Sequence, residues 1–143
     1  MRNKSNVEKI RDVKPKRVPR GRTLSTNDNY LGKQKTNSKK KRTVVVIETN
    51  SNNEMAVVPL SSRDGENRTK LKNYTQGNSY FKHYVETKDN EGQPIVTNDK
   101  FRQNNKDLDI SLNDVGKIRN KVFTNCKQKQ RNNKVMNEFR NRK

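Results

Sequence analysis

Tryptophan is absent from this sequence, and cysteine occurs once. A lone Cys126 builds no disulfide framework. The six glycines contain no phosphate-cradling Gly-rich loop. Apolar residues make up only 26% of the chain, and no run of them approaches the ~20 needed to span a membrane. No apolar segment follows the N-terminal charges, so no signal peptide is expected and the cytoplasm is the default compartment. Acidic residues are scarce too, with 15 Asp and Glu against 34 Lys and Arg. Asp107 and Asp109 lie close in sequence, but no third acid or histidine joins them by spacing. Neither a metal nor a cofactor is expected.

What is present is positive charge, unevenly placed. The net charge is +19 over 143 residues. Residues 1–42 carry fifteen basic and three acidic residues, a net +12. Residues 43–125 are nearly neutral at +1, with twelve against eleven. Residues 126–143 carry seven against one, a net +6. The apolar runs concentrate in the centre. A centre of this size buries about 60% of its unfolded surface, enough for one modest core. The arms, 1–41 and 126–143, cannot offset their chain entropy by apolar burial and are expected to be disordered. Such arms attract polyanions, of which nucleic acid is the commonest. Abundant Asn and Lys, encoded by A/T-rich codons, hint at a low-GC bacterium, a phage or a plasmid.

The centre is organised around a hairpin. Arg42-Thr43-Val44-Val45-Val46-Ile47 is β-branched and continuous, which favours a strand covered on both faces. A turn-prone gap from Glu48 to Glu54 follows. Met55-Ala56-Val57-Val58-Pro59-Leu60-Ser61-Ser62-Arg63 then reads as the returning strand, closed by Ser61, Ser62 and Arg63. Antiparallel pairing brings Arg42 near Ser61 and Arg63, at the end opposite the turn. This pattern predicts a small barrel.

On either side the signals are shorter. Ser5 to Val13 carries a one- or two-turn helical pattern. Lys14 to Arg22 is basic, and its prolines favour extended chain. Lys16, Arg17, Arg20, Arg22, Lys39, Lys40 and Lys41 are phosphate-backbone candidates. Thr23 to Leu31 supplies a short edge strand. After the hairpin, Arg63, Arg68, Lys70 and Lys72 form a basic loop opposed only by Asp64 and Glu66, and Tyr74 is a candidate to stack on a base. Ser79 to Thr87 reads as a third strand, and Pro94 to Thr97 and Phe101 as short last ones. Ser111 to Phe123 is the clearest helix, capped by Ser111 and striped by Leu112, Val115, Ile118 and Val122. Val135, Met136 and Phe139 give the second arm a short apolar edge.

Arg42-Thr43-Val44-Val45-Val46-Ile47 and Val57-Val58-Pro59-Leu60-Ser61-Ser62-Arg63 resemble the two hairpin segments of the MazF/PemK-like toxin endoribonucleases. His83-Tyr84-Val85-Glu86 is similar to a strand of some members, and Asp109 to Phe123 to the closing helix. The order of elements matches over residues 42–123. Toxin RNases of type III systems are an equally fair comparison. Thr43 stands where the family usually has proline, and its Gly-Asp opening strand is absent. The resemblance implies a mainly β, α+β domain: a small SH3-like barrel at 42–125 closed by helix 111–123. It also implies a metal-independent endoribonuclease, with an acidic antitoxin-like partner and a homodimer among its associations.

In such an enzyme the ribose 2′-hydroxyl attacks phosphorus and charge builds on the phosphate oxygens. Arg42 would hold those oxygens, Ser61 would orient the phosphate, and His83 would serve as general acid or base. Arg63, Arg68, Lys70 and Lys72 would hold flanking phosphates. Each catalytic candidate has a plainer reading: Arg42 as the end of a basic cluster, Ser61 as a strand terminator, His83 as a core histidine. Two classes therefore stand at this point. One is an RNA-cleaving toxin-like enzyme. The other is a non-catalytic DNA- or RNA-binding protein of a mobile element.

Overall fold

Two eight-residue strands bury both of their faces. They are β2 (Arg42–Thr49) and β3 (Glu54–Ser61), paired antiparallel with Val45 opposite Val58. Because successive side chains alternate across a sheet, their apolar residues sort into two layers. Val45, Ile47, Ala56, Val58 and Leu60 enter one cluster. Val44, Val46, Met55 and Val57 enter the other. Each valine so buried contributes about 1.5–3 kcal/mol. The computed structural model describes residues 18–32, 41–72, 74, 79–88, 93–103 and 109–141.

Around this pair five short strands complete an antiparallel sheet of an α+β fold. They are β1 (Thr23–Thr26), β4 (Arg68–Lys70), β5 (Tyr80–Lys82), β6 (Ile95–Val96) and β7 (Arg102–Gln103). The order is β4-β5-β3-β2-β1-β7, with β6 joining β3 beside β5. The expected barrel is corrected here: the sheet stays open. Its edges, β4 and β7, have three and two residues and do not meet.

Two helices cover the first layer. Helix α1 (Leu112–Thr124) starts at Ser111, whose hydroxyl accepts from the Asp114 N–H at 3.2 Å. Val115, Ile118 and Val122 pack inward, whereas Leu112 at the first position stands exposed. Helix α2 (Lys129–Asn141) follows after a short turn and buries Met136 and Phe139 in the same cluster. The expected boundary at 126 therefore moves, because the apolar edge of the second arm docks on the domain's own core. The boundary at 41 moves as well. Strand β1, inside the expected first arm, pairs with β2 from Thr23 opposite Val45 to Thr26 opposite Arg42. Gly21 makes this junction with a φ of +91°, its N–H donating to Val46 and its carbonyl accepting from Ile110. A Cβ there would strike the Ile110 carbonyl.

A bulge in β2 ties the helices down. The register slips between Val46 and Glu48, so Ile47 is the extra residue. Glu48 consequently turns toward the helices. Its carboxylate meets Arg119 of α1 at 3.1 Å and Arg140 of α2 at 3.3 Å. Asn132 of α2, fully buried, does the rest. Its amide oxygen accepts from the Val85 N–H, and its amide nitrogen donates to the carbonyls of His83 and Val122.

Candidate nucleic-acid interface

Arg42 opens β2 with its side chain directed to the layer of Val44 and Val46 by strand alternation. There it finds Asp28, in the 3-10 turn Asp28–Tyr30 that follows β1. The guanidinium donates twice, Nε to Oδ1 at 3.0 Å and Nη2 to Oδ2 at 3.2 Å. The two side chains are 7% and 1% exposed. Burial alone would lower the Arg42 pKa, but the hydrogen bonds to Asp28 and its charge outweigh that and raise it. A guanidinium held in this way is committed to a carboxylate of its own chain.

Ser61 is engaged on another side. Its hydroxyl accepts from the Arg63 N–H at 3.1 Å and from Nη1 of Arg68 at 3.0 Å. His83 lies just past β5 and belongs with Phe81, whose ring centroid is 5.8 Å from its own. Its Nε2 is 2.7 Å from the Thr69 hydroxyl. Burial, then the charge of Lys121 on α1, lowers its pKa below the ordinary imidazole value. The register separates these residues by face. Leu60, Phe81 and Thr69 align across β3, β5 and β4 toward the helices. Ser61, Tyr80 and Lys70 align on the opposite face. His83 keeps company with the first row and Ser61 stands in the second, so the expected trio does not converge.

The second row is the more informative surface. Lys70 lies opposite Tyr80, and Arg68 lies opposite Lys82. Directly opposed residues on adjacent strands sit about 4.5–5.5 Å apart, and like charges there are destabilising. Here two cations face each other across β4 and β5, with the half-buried Tyr80 between Lys70 and Ser61. Arg63, exposed, extends the patch from the end of β3, and Lys72, also exposed, extends it from β4. Arg68 is braced by Ser61 and by the Arg63 carbonyl at 3.1 Å, which aims rather than neutralises it. Asn67, with a φ of +62°, makes the tight entry into β4 that permits this register.

The remaining basic candidates are dispersed. Arg20 is exposed in the turn before β1, while Arg22 is tied to Asp109 at 3.2 Å and to Gln103. Lys41 is exposed at the start of β2. Lys16, Arg17, Lys39 and Lys40, and the helical pattern from Ser5, lie outside the described residues. Tyr74, read as a stacking residue, is instead buried in the helix-side core. Strand β4 escaped the sequence reading because Arg-Thr-Lys has no apolar residue to mark it. Only Leu71 beyond it signals a buried strand end.

Among the described residues no group of three or more His, Cys, Asp or Glu is placed to hold a metal ion. No helix among them is long and apolar enough to cross a membrane. No family model, curated protein or solved structure matches the chain. The likeness to MazF/PemK-like toxins accordingly rests on the residues of the two hairpin segments.

Proposed function

We propose that this chain is a nucleic-acid-binding protein that engages the phosphate backbone of a single strand without cleaving it. The observation that carries this reading is the placement of Arg68, Lys70 and Tyr80 on one sheet face, with exposed Arg63 and Lys72 at its ends. Cations held in a row on a sheet suit the phosphates of an extended strand. A tyrosine on the same face offers a base a stacking surface. The net charge of +19 supplies long-range attraction to the same class of ligand. Cleavage, by contrast, would require Arg42 to leave Asp28 and His83 to leave the helix side of the sheet.

The test is a gel-shift and integrity assay with a labelled single-stranded RNA and its DNA counterpart, in EDTA. Retarded but intact RNA is the expected result. RNA cut by wild type would restore the endoribonuclease reading, and failure to bind either strand at low salt would remove both.

A further inference from the structure

The opposite edge of the sheet carries a second cationic site. Between β1, the 3-10 turn and the approach to β7 lies an open cleft of about 420 Å³. That volume falls within the range of small-ligand sites. Three cations border it: Lys41 before β2, Lys100, and Arg102 of β7. Among the described residues, Asp99 is the one acid in its lining. The Lys100 ammonium lies 5.5 Å from the ring centroid of Tyr30, a cation–π distance that positions both groups. Tyr30 is 42% exposed. Two hydroxyls in the lining residues, those of Ser25 and Thr26, are buried and have no hydrogen-bond partner among the described residues. Thr26 is itself only 4% exposed. Successive side chains of β1 point to opposite faces, so one of these hydroxyls at most is turned to the cleft.

Tyr30 also borders a neighbouring cleft of about 260 Å³, whose walls include Ile95, Val96 and Phe101. The two clefts therefore meet at one aromatic ring, and the second mixes those apolar walls with Asn29, Asn98 and the cation Lys88. Val96, 41% exposed, extends the apolar ground.

We infer that this double cleft binds a nucleotide. Its phosphate lies among Lys41, Lys100 and Arg102, and its base covers Tyr30 and the apolar wall. The ligand chemistry is a phosphate joined to a flat aromatic base, whether free or as one unit of a strand. The site shares no residue with the β4–β5 face and stands independently of the proposal made for that face.

The experiment is protein-detected NMR titration of the full chain with AMP, with inorganic phosphate, and with a single-stranded oligonucleotide. Wild type is compared with Lys100→Ala, Tyr30→Leu and Tyr30→Phe, each first checked for an unchanged thermal midpoint. Shifts at Ser25, Thr26 and Tyr30 on adding AMP are expected, weakened about tenfold by Tyr30→Leu and by Lys100→Ala but kept by Tyr30→Phe. The same pattern with the oligonucleotide alone assigns the site to a unit of a strand. Arg68→Ala is expected to leave AMP binding at this site unchanged, so failure at one edge is told apart from failure at the other. Inorganic phosphate acting as strongly as AMP, with Tyr30→Leu silent, overturns the nucleotide assignment. No shift at these residues with any ligand overturns the site.

Discussion

Arg42 and Asp28 form a two-pronged ion pair inside the sheet layer, closing at 3.0 and 3.2 Å. Removing one partner of a buried pair leaves the other charge without compensation, at a cost of about 3–5 kcal/mol. Asp28→Ala and Arg42→Ala are each expected to lower the unfolding free energy by an amount in that range, read from the urea midpoint and slope. A double-mutant cycle should show strong coupling between them. The result bears on function, since loss of RNA handling by Arg42→Ala would then report loss of fold. Midpoints equal to wild type would show that the pair is not formed in solution.

On the β4–β5 face the expectation concerns salt. For a single strand, freeing one phosphate from its protein cation reduces the slope of log affinity against log salt by about 0.7. Arg68→Ala with Lys70→Ala should therefore weaken binding for all sequences alike and flatten the slope by about one to one and a half. Fluorescence anisotropy across a salt series measures this. An unchanged slope would mean that the phosphates are held elsewhere on the chain.

Asn132 closes three hydrogen bonds to two separate backbone segments. Asn132→Leu removes all three and leaves the Val85 N–H buried without its acceptor and the two carbonyls with only the weak Cys126 thiol donor. Each buried group left unsatisfied costs about 1–3 kcal/mol, so a loss on the order of 3 kcal/mol is expected. Amide exchange at Val85 should accelerate in the same variant. A variant with wild-type stability would mean that α2 is held by its other ties, Met136, Phe139 and the Arg140–Glu48 pair.

His83 sets a pH dependence. Its folded pKa is lowered by burial and then by Lys121, so the unfolded chain binds the proton more readily. Its stabilising contribution is complete above the unfolded value near 6.5. It is lost as pH falls from there through the folded value. Urea midpoints should therefore drop between pH 7.5 and 5.5, and His83→Gln should remove much of that drop. A rise in stability on acidification would reverse the sign and refute the assignment.

The hairpin could be read from the sequence because continuous β-branched runs admit few alternatives. Two-sided burial of β2 and β3 followed from the same feature, and the helix starting at Ser111 from its cap and its apolar stripe. Arg42 was expected at the sheet end beside Ser61 and Arg63, whereas its side chain shares the face of Val44 and Val46 and is buried. Its partner was harder to foresee, since Asp28 lies fourteen residues away in a segment dominated by like charge. Helix α2 was obscured for a related reason. Its three inward residues, Asn132, Met136 and Phe139, are spaced at four and three, but six of its thirteen residues are Asn or Gln or Glu and lower the apolar signal. Openness of the sheet depends on β4 and β7 being too short to pair, which no local pattern announces.

The unclosed sheet has a consequence for how copies of the chain meet. Bare strand edges invite another chain to add itself in register. Here Arg68 and Lys70 line one rim and Arg102 the other, so two copies approaching rim to rim present cation to cation. The charges proposed to hold nucleic acid thus also act as spacers, discouraging self-templated growth until a polyanion screens them.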